Sequence, residues 1–242
     1  MSRASGEQEP RLRVDVLTLF PRIFEVPLEE SLLGRAVAGG LVEVRLHDIR
    51  GFASDRHRQV DDYGFGGGPG MVLKPEPIVS AVEALEEGTK RVVLLSPAGR
   101  SLTQALVKEL AKESWLVLIC GRYEGVDERV VGLLGAEEVS IGDFVLAGGE
   151  VAALAMLEAV VRLVPGVVGN EESVISESFE GRLLDHPHYT RPREFRGAAV
   201  PDVLLSGDHG RISRWRREAA LEKTRRNRPD LLGDGPPGRA SE

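Results

Sequence analysis

Short apolar runs alternate with amphipathic segments along most of the chain. The apolar runs predict buried strands over residues 12–19, 41–46, 91–95, 116–120 and 136–141. Helices are predicted from near residue 28 to residue 40, from Pro75 to Ala84, from Ser101 or Thr103 to Lys112, and over residues 151–163. Strands that alternate with helices in this way predict an open α/β domain with a mainly parallel sheet.

Two of the predicted strands end in loops that begin with glycine, at Gly121 and at Gly142. The polar residues of these loops are Arg122, Tyr123, Glu124, Asp143 and Glu150. In open α/β sheets, ligands bind outside the carboxyl ends of the strands, and glycine lets the backbone approach a ligand closely. One such loop is explained equally well as a simple turn. Two of them, each with polar side chains, favour a ligand site.

Residues 51–70 show no pattern of regular structure. They include Arg56, His57, Arg58, Asp61 and Asp62, followed by five glycines within residues 64–70. Bare backbone amides in such a loop can approach a phosphate. The segment is not a Walker loop, because no Gly-Lys-Ser/Thr follows, and the G-x-G-x-x-G spacing fails at Pro69. The alternative is a flexible lid that contacts no ligand.

Charge is unevenly distributed along the chain. The whole chain has a formal net charge of −7, yet residues 182–228 hold 12 lysines and arginines against 6 aspartates and glutamates. The remainder therefore holds 19 basic against 32 acidic residues. An acidic body with a basic C-terminal part indicates a small module that meets a polyanion. The alternative is that the basic residues only form the solvated face of a helix, which is predicted over residues 211–227.

Hydropathy, cysteine content and chain length further restrict the class of protein. No window is long and apolar enough to span a bilayer, and the N-terminus lacks a signal-peptide pattern. Cys120 is the only cysteine, which excludes a disulfide within the chain and predicts a reduced, cytoplasmic protein. The length suits either one large domain or one domain with a small appendage. Residues 1–10 and 233–242 are predicted to be disordered.

An acidic, weakly periodic stretch over residues 167–182 is predicted to be a linker. It carries the carboxylates Glu171, Glu172, Glu177 and Glu180. Beyond it, His186 and His188 flank Pro187, and imidazole pairs of this kind can bind a metal ion. Because no third ligand is recognisable at a suitable spacing, no metal site is predicted here.

Ten motifs, in a fixed order, make the chain similar to a known family. They are LTLFP, SLLGRA, DRHRQVDD, GGGPGMVLKPEP, LLSPAGR, CGRYEGVDER, SIGDFVLAGGE, RLVPGVVGN, LLDHPHYTRP and LLSGDHGRISRWRR. Each motif alone is weak, whereas the full set is highly specific. Over about residues 12–232, the chain resembles the bacterial tRNA (guanine-37-N1)-methyltransferases, which belong to the SPOUT superfamily of knotted methyltransferases.

This resemblance implies a fold, an activity and partners. The fold would be an α/β domain over residues 11–168 whose C-terminal part forms a deep trefoil knot. A linker over residues 169–184 and a helical tRNA-binding domain over residues 185–232 would follow. The activity would be transfer of a methyl group from S-adenosylmethionine to N1 of guanine 37 of tRNA. The family also implies a homodimer with active sites at the subunit interface and, more weakly, a need for Mg²⁺.

The resemblance also assigns roles to individual residues. The cofactor would be held by Pro97, Gly121, Tyr123, Ser140, Ile141, Gly142, Asp143, Phe144, Val145, Leu146, Gly148 and Gly149. The tRNA would be bound by Arg56, His57, Asp61, Arg214, Arg216 and Arg217. In catalysis, Arg162 would stabilise negative charge on guanine O6, and Glu124 would contact the guanine edge.

The general base is where the chain departs from the family pattern. The family's base is an aspartate in the linker, and the aligned position here is Glu177. Glutamate keeps the carboxylate and adds a methylene, so its reach and angle must be readjusted. The competing interpretation makes Glu177 a solvated linker acid and assigns the base to a nearby carboxylate.

Two other classes of function stay open on the sequence. A SPOUT enzyme that modifies another RNA would keep the knot loops but lose the PHYTRP turn and the RWRR helix, which are both present. A catalytically silent RNA-binding protein would keep the basic helix without needing Glu124, Arg162 and a linker carboxylate together.

Overall fold

The computed structural model describes residues 9–169, 177–179 and 182–233. The chain divides into two compact units, Met1–Gly169 and Asn170–Glu242. The disorder predicted for the two chain ends concerns mostly residues outside this description, as do the linker acids Glu171, Glu172 and Glu180.

The first unit is built on a five-stranded parallel sheet. The strands of this unit, inside and outside the sheet, are β1 (Leu12–Thr18), β2 (Val42–Asp48), β3 (Asp61–Asp62), β4 (Val72–Leu73), β5 (Arg91–Ser101), β6 (Trp115–Cys120) and β7 (Glu137–Ser140). The sheet has the order β2-β1-β6-β5-β7, and all of its pairings are parallel. Strands β3 and β4 form a separate antiparallel pair. The predicted α/β domain with a mainly parallel sheet is confirmed.

Five helices of the first unit lie between these strands in the chain, and the sixth follows β7. They are α1 (Arg22–Glu29), α2 (Ser31–Ala38), α3 (Pro75–Glu83), α4 (Gln104–Leu110), α5 (Arg129–Leu134) and α6 (Glu150–Val161), with a 3₁₀ helix at Ile49–Phe52. The side chain of Thr103, one of the two predicted caps, accepts a hydrogen bond from the backbone N–H of Leu106 and so begins α4.

The single helix predicted from near residue 28 to residue 40 is wrong. Glu30 has extended backbone angles, and it separates α1 from α2. At this sharp break, a Cβ on Gly34 would lie 2.4 Å from the carbonyl carbon of Glu29. Apolar periodicity continues across the break, which is why the pattern alone did not reveal it.

Both faces of the sheet are covered by apolar side chains. In β6, Leu116 and Leu118 belong to a cluster with α1, α2, α4 and α6, whereas Val117 and Ile119 belong to a cluster with α3 and α5. A strand buried on both faces reads as a continuous apolar run, as observed here. Burial raises the pKa of the Cys120 thiol well above its usual value, so this cysteine is a neutral core residue.

One buried carboxylate interrupts the apolar pattern of β1. Asp15 is fully buried and accepts hydrogen bonds from the indole N–H of Trp115 at 2.7 Å and from Arg13 Nε at 2.8 Å. His47 Nε2 lies 2.6 Å from its second oxygen. Burial alone would raise the pKa of Asp15, but these hydrogen bonds outweigh it and lower the pKa below its usual range.

The second unit is small and mainly helical. Its elements are β8 (Glu194–Phe195), β9 (Ala198–Ala199), a short helix (Asp202–Leu205), a C-terminal helix (His209–Asn227) and a 3₁₀ helix (Pro229–Leu232). The carboxylate of Asp208 caps the C-terminal helix by accepting from Arg211 N–H, so this helix begins two residues before the predicted start. In the described part of the chain, every helix is too short or too polar to cross a bilayer.

Candidate active site

Strand β5 runs past its predicted end and forms one wall of a pocket. It was predicted to stop at Leu95, but Leu95 and Arg100 both pair with Val139 of β7, so residues 96–99 bulge out of the ladder. Bulges of this kind re-aim side chains next to active sites. The bulge depends on Gly99, since a Cβ there would lie 2.3 Å from the backbone of Glu138. Pro97 is thereby presented at the sheet edge.

A pocket of about 380 Å³ lies at the carboxyl ends of β5, β6 and β7. Of the twelve residues predicted to hold a cofactor, eleven line it, and only Asp143 is not among the lining residues. The eleven are Pro97, Gly121, Tyr123, Ser140, Ile141, Gly142, Phe144, Val145, Leu146, Gly148 and Gly149. The structure therefore brings the two glycine loops and the β5 bulge around one cavity.

The two glycine loops touch each other through their backbones. Gly149 N–H donates to the carbonyl of Gly121 at 2.8 Å, and Arg122 pairs with Gly148 in an antiparallel bridge. There is no room for side chains at this crossing. A Cβ on Gly149 would lie 2.9 Å from the Cα of Cys120, closer than real Cβ atoms come to backbone. Glycine is required here by close approach and not by an unusual backbone angle.

A buried ion pair holds these loops to the first strand. The side chain of Glu150 is 1% exposed and receives Arg122 Nε at 3.1 Å. Its other oxygen accepts the hydroxyl of Thr18, at the end of β1, at 2.9 Å. Arg122 also donates to the carbonyl of Ala147 and lies over the ring of Phe20, 4.4 Å from its centroid. Glu150 therefore joins three segments at the rim of the pocket.

The sequence patterns did not indicate Thr18 as a site residue, although they indicated Arg122 and Glu150 as polar residues of the glycine loops. The available signal was a hydroxyl side chain at the carboxyl end of an apolar strand. Its partner Glu150 stands 132 residues away in the chain, so spacing did not indicate the contact.

The loop after Gly121 places two polar side chains at the pocket. Tyr123 has a positive φ of 59°, an unusual angle for a residue other than glycine. Burial and a hydrogen bond to the carboxylate of Asp61 raise the pKa of the Tyr123 hydroxyl. Glu124 N–H donates to the carbonyl of Met71, at the end of the glycine-rich segment. Gly70 also packs against the Glu124 side chain, where a Cβ would collide with it.

The other predicted site residues are not among the residues that line the described pocket. Arg162 is the C-cap of α6 and is half-buried. His57, next to the exposed Arg56, donates its backbone N–H to the carboxylate of Asp55, which shapes an exposed turn. Glu177 is half-buried in the second unit. Arg214, Arg216 and Arg217 are exposed on the C-terminal helix.

Together, the fold and the pocket define a class of protein: an α/β protein with a pocket at the carboxyl edge of a parallel sheet, the place where such sheets bind ligands. The comparison with known proteins is more specific. Residues 12–234 match the model of the family described as "tRNA (Guanine-1)-methyltransferase TrmD". The chain belongs to this family.

Individual relatives are similar over nearly their whole length. A protein of Geotalea uraniireducens named tRNA (guanine-N(1)-)-methyltransferase is 55% identical over 92% of this chain and 91% of its own length. Proteins with the same name from Gloeobacter violaceus and Dictyoglomus turgidum are 56% and 53% identical, each over 91% of this chain, and over 98% and 90% of their own lengths.

Proposed function

We propose that this protein is an S-adenosylmethionine-dependent methyltransferase that modifies N1 of guanine 37 of tRNA, next to the anticodon. The observation that carries the proposal is the pocket between the glycine loops, in a chain that belongs to the family along residues 12–234. The relatives' shared name supports the reaction and the class of substrate. A cytoplasmic location follows, because a tRNA-modifying enzyme acts where tRNA is found.

The backbone groups and apolar side chains that line the pocket are suited to bind S-adenosylmethionine. When bound, this cofactor supplies an electrophilic methyl group on its sulfonium. The loop crossing at Gly121, Gly148 and Gly149 leaves main-chain groups bare, so an adenine or amino-acid moiety can contact backbone directly. Ile141, Phe144 and Leu146 line the same cavity and offer apolar contact to an adenine ring.

Replacing Gly149 by alanine tests this assignment. The added methyl pushes residue 149 away from the backbone of Cys120 and Gly121. We therefore expect the KM for S-adenosylmethionine to rise at least tenfold, which corresponds to about 1.4 kcal/mol of binding free energy. Calorimetric titration with S-adenosylhomocysteine measures the loss directly. The matched control is Gly132→Ala in α5, where a Cβ meets nothing within 4 Å. Equal cofactor affinity in the two variants would contradict the assignment.

The proposed chemistry needs three side chains with different tasks. N1 of guanine carries a proton, so a base must remove it as the methyl group is transferred. We assign that step to the Glu177 carboxylate. Arg162 would stabilise the negative charge that develops on O6, and Glu124, at the mouth of the pocket, would contact the guanine edge. Holding the guanine in one orientation is the rest of the catalytic task.

The tRNA would contact two groups of residues. Arg214, Arg216 and Arg217 are exposed on the C-terminal helix, where they can neutralise phosphates and supply salt-dependent affinity. Arg56 and His57 lie in an exposed turn, and Asp61 contacts Tyr123 at the pocket, so this segment is suited to close over the substrate.

The quaternary and topological parts of the proposal follow from family membership. We propose a deep trefoil knot formed by the glycine loops within residues 11–168, a linker over 169–184 and a tRNA-binding domain over 185–232. The division of the chain after Gly169 supports these boundaries. We also propose a homodimer, because Val26, Phe144, Val145 and Val151 expose apolar side chains on the first unit.

The described side chains of the pocket do not suit a dedicated magnesium site. Among the described residues, the pocket offers no group of three carboxylate or imidazole side chains close enough to hold one ion. The side chains seen there thus do not form a dedicated Mg²⁺ site.

Two tRNA transcripts that differ only at position 37 test the proposed function. With labelled S-adenosylmethionine, we expect label on the transcript with guanine and none on the transcript with adenine. Nuclease digestion then identifies the product as 1-methylguanosine. Label on both transcripts would indicate a different target base. Binding without label on either would favour a catalytically silent RNA-binding protein.

A further inference from the structure

A cluster of one carboxylate and two imidazoles lies in the second unit, among residues that do not belong to the pocket lining of the first unit. Asp185, His186 and His188 place one ligand atom each within 4.8 Å of one another. The sequence pattern suggested only the two histidines. The third group was not recognised because Asp185 directly precedes His186, and adjacent residues converge only when the backbone turns between them.

The hydrogen bonds orient the two imidazoles. His186 Nδ1 lies 3.1 Å from the carbonyl of Pro187, and a carbonyl oxygen only accepts, so Nδ1 carries the proton. His186 Nε2, the ring's other nitrogen, faces Asp185 Oδ1 at 3.8 Å, which is beyond hydrogen-bond distance and leaves space between the two atoms. His188 Nε2 lies 2.8 Å from the other oxygen of Asp185.

Hydrogen bonds and ring contacts position the three side chains of the cluster, which stay partly exposed to solvent. The backbone N–H of Asp185 donates to the Ser178 hydroxyl, and Asp185 Oδ1 also accepts the backbone N–H of His186. The His186 ring lies 4.4 Å from the His188 ring and 6.5 Å from the ring of Trp215. Side-chain exposures are 24% for Asp185, 19% for His186 and 69% for His188, so water can complete a coordination sphere.

We propose that Asp185, His186 and His188 bind a divalent transition-metal ion of the Zn²⁺ class. Two imidazole nitrogens and one carboxylate oxygen are the donor set that Zn²⁺ accepts, and metal-binding histidines usually donate their second N–H to a carbonyl or carboxylate, as His186 does. Bonds of about 2.0–2.2 Å place ligand atoms roughly 3.4 Å from one another. On binding, His188 Nε2 and the Asp185 oxygen 2.8 Å from it therefore move apart, whereas His186 Nε2 and Asp185 Oδ1, 3.8 Å apart, approach each other. The bound ion fixes the turn at Pro187 against Trp215.

Zinc titration of the untagged, metal-free protein tests this proposal. We expect one Zn²⁺ per chain by equilibrium dialysis, and Co²⁺ should give the visible absorption of a low-symmetry site. The double variant His186→Ala/His188→Ala should bind Zn²⁺ at least tenfold more weakly, whereas His209→Ala, an exposed histidine on the C-terminal helix, should bind normally. Circular dichroism of each variant checks that it is folded.

Three results would overturn the proposal. They are no stoichiometric Zn²⁺ in the wild-type protein, equal affinity in the double variant, and full competition by an excess of Mg²⁺, which prefers oxygen ligands. A cluster that only forms hydrogen bonds would give the first result. Each readout is metal binding and not methyl transfer, so a failure here is distinguishable from a failure of the proposed function.

Discussion

Replacing Glu177 by glutamine is expected to lower the single-turnover rate of methyl transfer by about 10²–10⁴-fold, the usual contribution of a general base. The amide has nearly the same shape as the carboxylate, but it cannot take the N1 proton. Binding of tRNA should change little, because the substitution removes one negative charge and no cation. Rapid-quench measurement with saturating enzyme separates the chemical step from product release.

Two variants make the Glu177 result interpretable. Glu177→Asp restores the carboxylate of the family pattern with one methylene fewer, so it should retain far more activity than the glutamine variant. Glu194→Gln removes an exposed acid in the same unit and should leave the rate unchanged. If Glu177→Gln transfers the methyl group at a near-normal rate, another linker carboxylate is the base.

Replacing Glu150 by alanine is expected to reduce the free energy of unfolding by about 3 kcal/mol, as is usual when one partner of a buried ion pair is removed. The change leaves Arg122, whose side chain is 20% exposed, without its carboxylate, and it leaves the Thr18 hydroxyl without its acceptor. Because Arg122 and Ala147 belong to the pocket lining, cofactor affinity should fall as well. Urea unfolding and cofactor titration measure the two effects.

A double-mutant cycle isolates the ion pair from the rest of the Glu150 effect. Combined with Arg122→Met, the loss caused by Glu150→Ala should be smaller than in the wild type, since no charge is then left unpaired. Thr18→Val should cost about 2 kcal/mol on its own, because the hydroxyl donates to Glu150 and accepts from the backbone N–H of Phe20, and each hydrogen bond has a net value of about 1 kcal/mol. Glu83→Ala, on the exposed side of α3, serves as control. A Glu150→Ala variant as stable as this control would show that the pair does not hold the loops.

The apolar periodicity predicted the strands and helices of the first unit well wherever that periodicity is regular. The apolar runs of β1, β2, β6 and β7 and the long helix α6 were all found close to their predicted bounds. The errors have a common cause. The break at Glu30 and the bulge at residues 96–99 are backbone features with close approach at Gly34 and Gly99, and the order of apolar and polar residues does not record either of them.

The sequence motifs predicted more of the candidate site than the apolar periodicity did. Because the glycine loops follow strands of a parallel sheet, their position at one edge was predictable, and the structure places eleven of the twelve predicted cofactor residues around one pocket. The roles of Glu124, Arg162 and Glu177 stay predictions that the proposed experiments test.

By itself, the sequence determined the fold class, the family and the segments that form the candidate site, because these depend on local patterns and on residue identity. Only the tertiary structure decided which distant groups meet. The ion pair of Arg122 and Glu150 with Thr18, and the contact of Tyr123 with Asp61, join segments that are far apart in the chain. Such contacts depend on how the strands pair and how the loops cross, and neither leaves a periodic trace in the sequence.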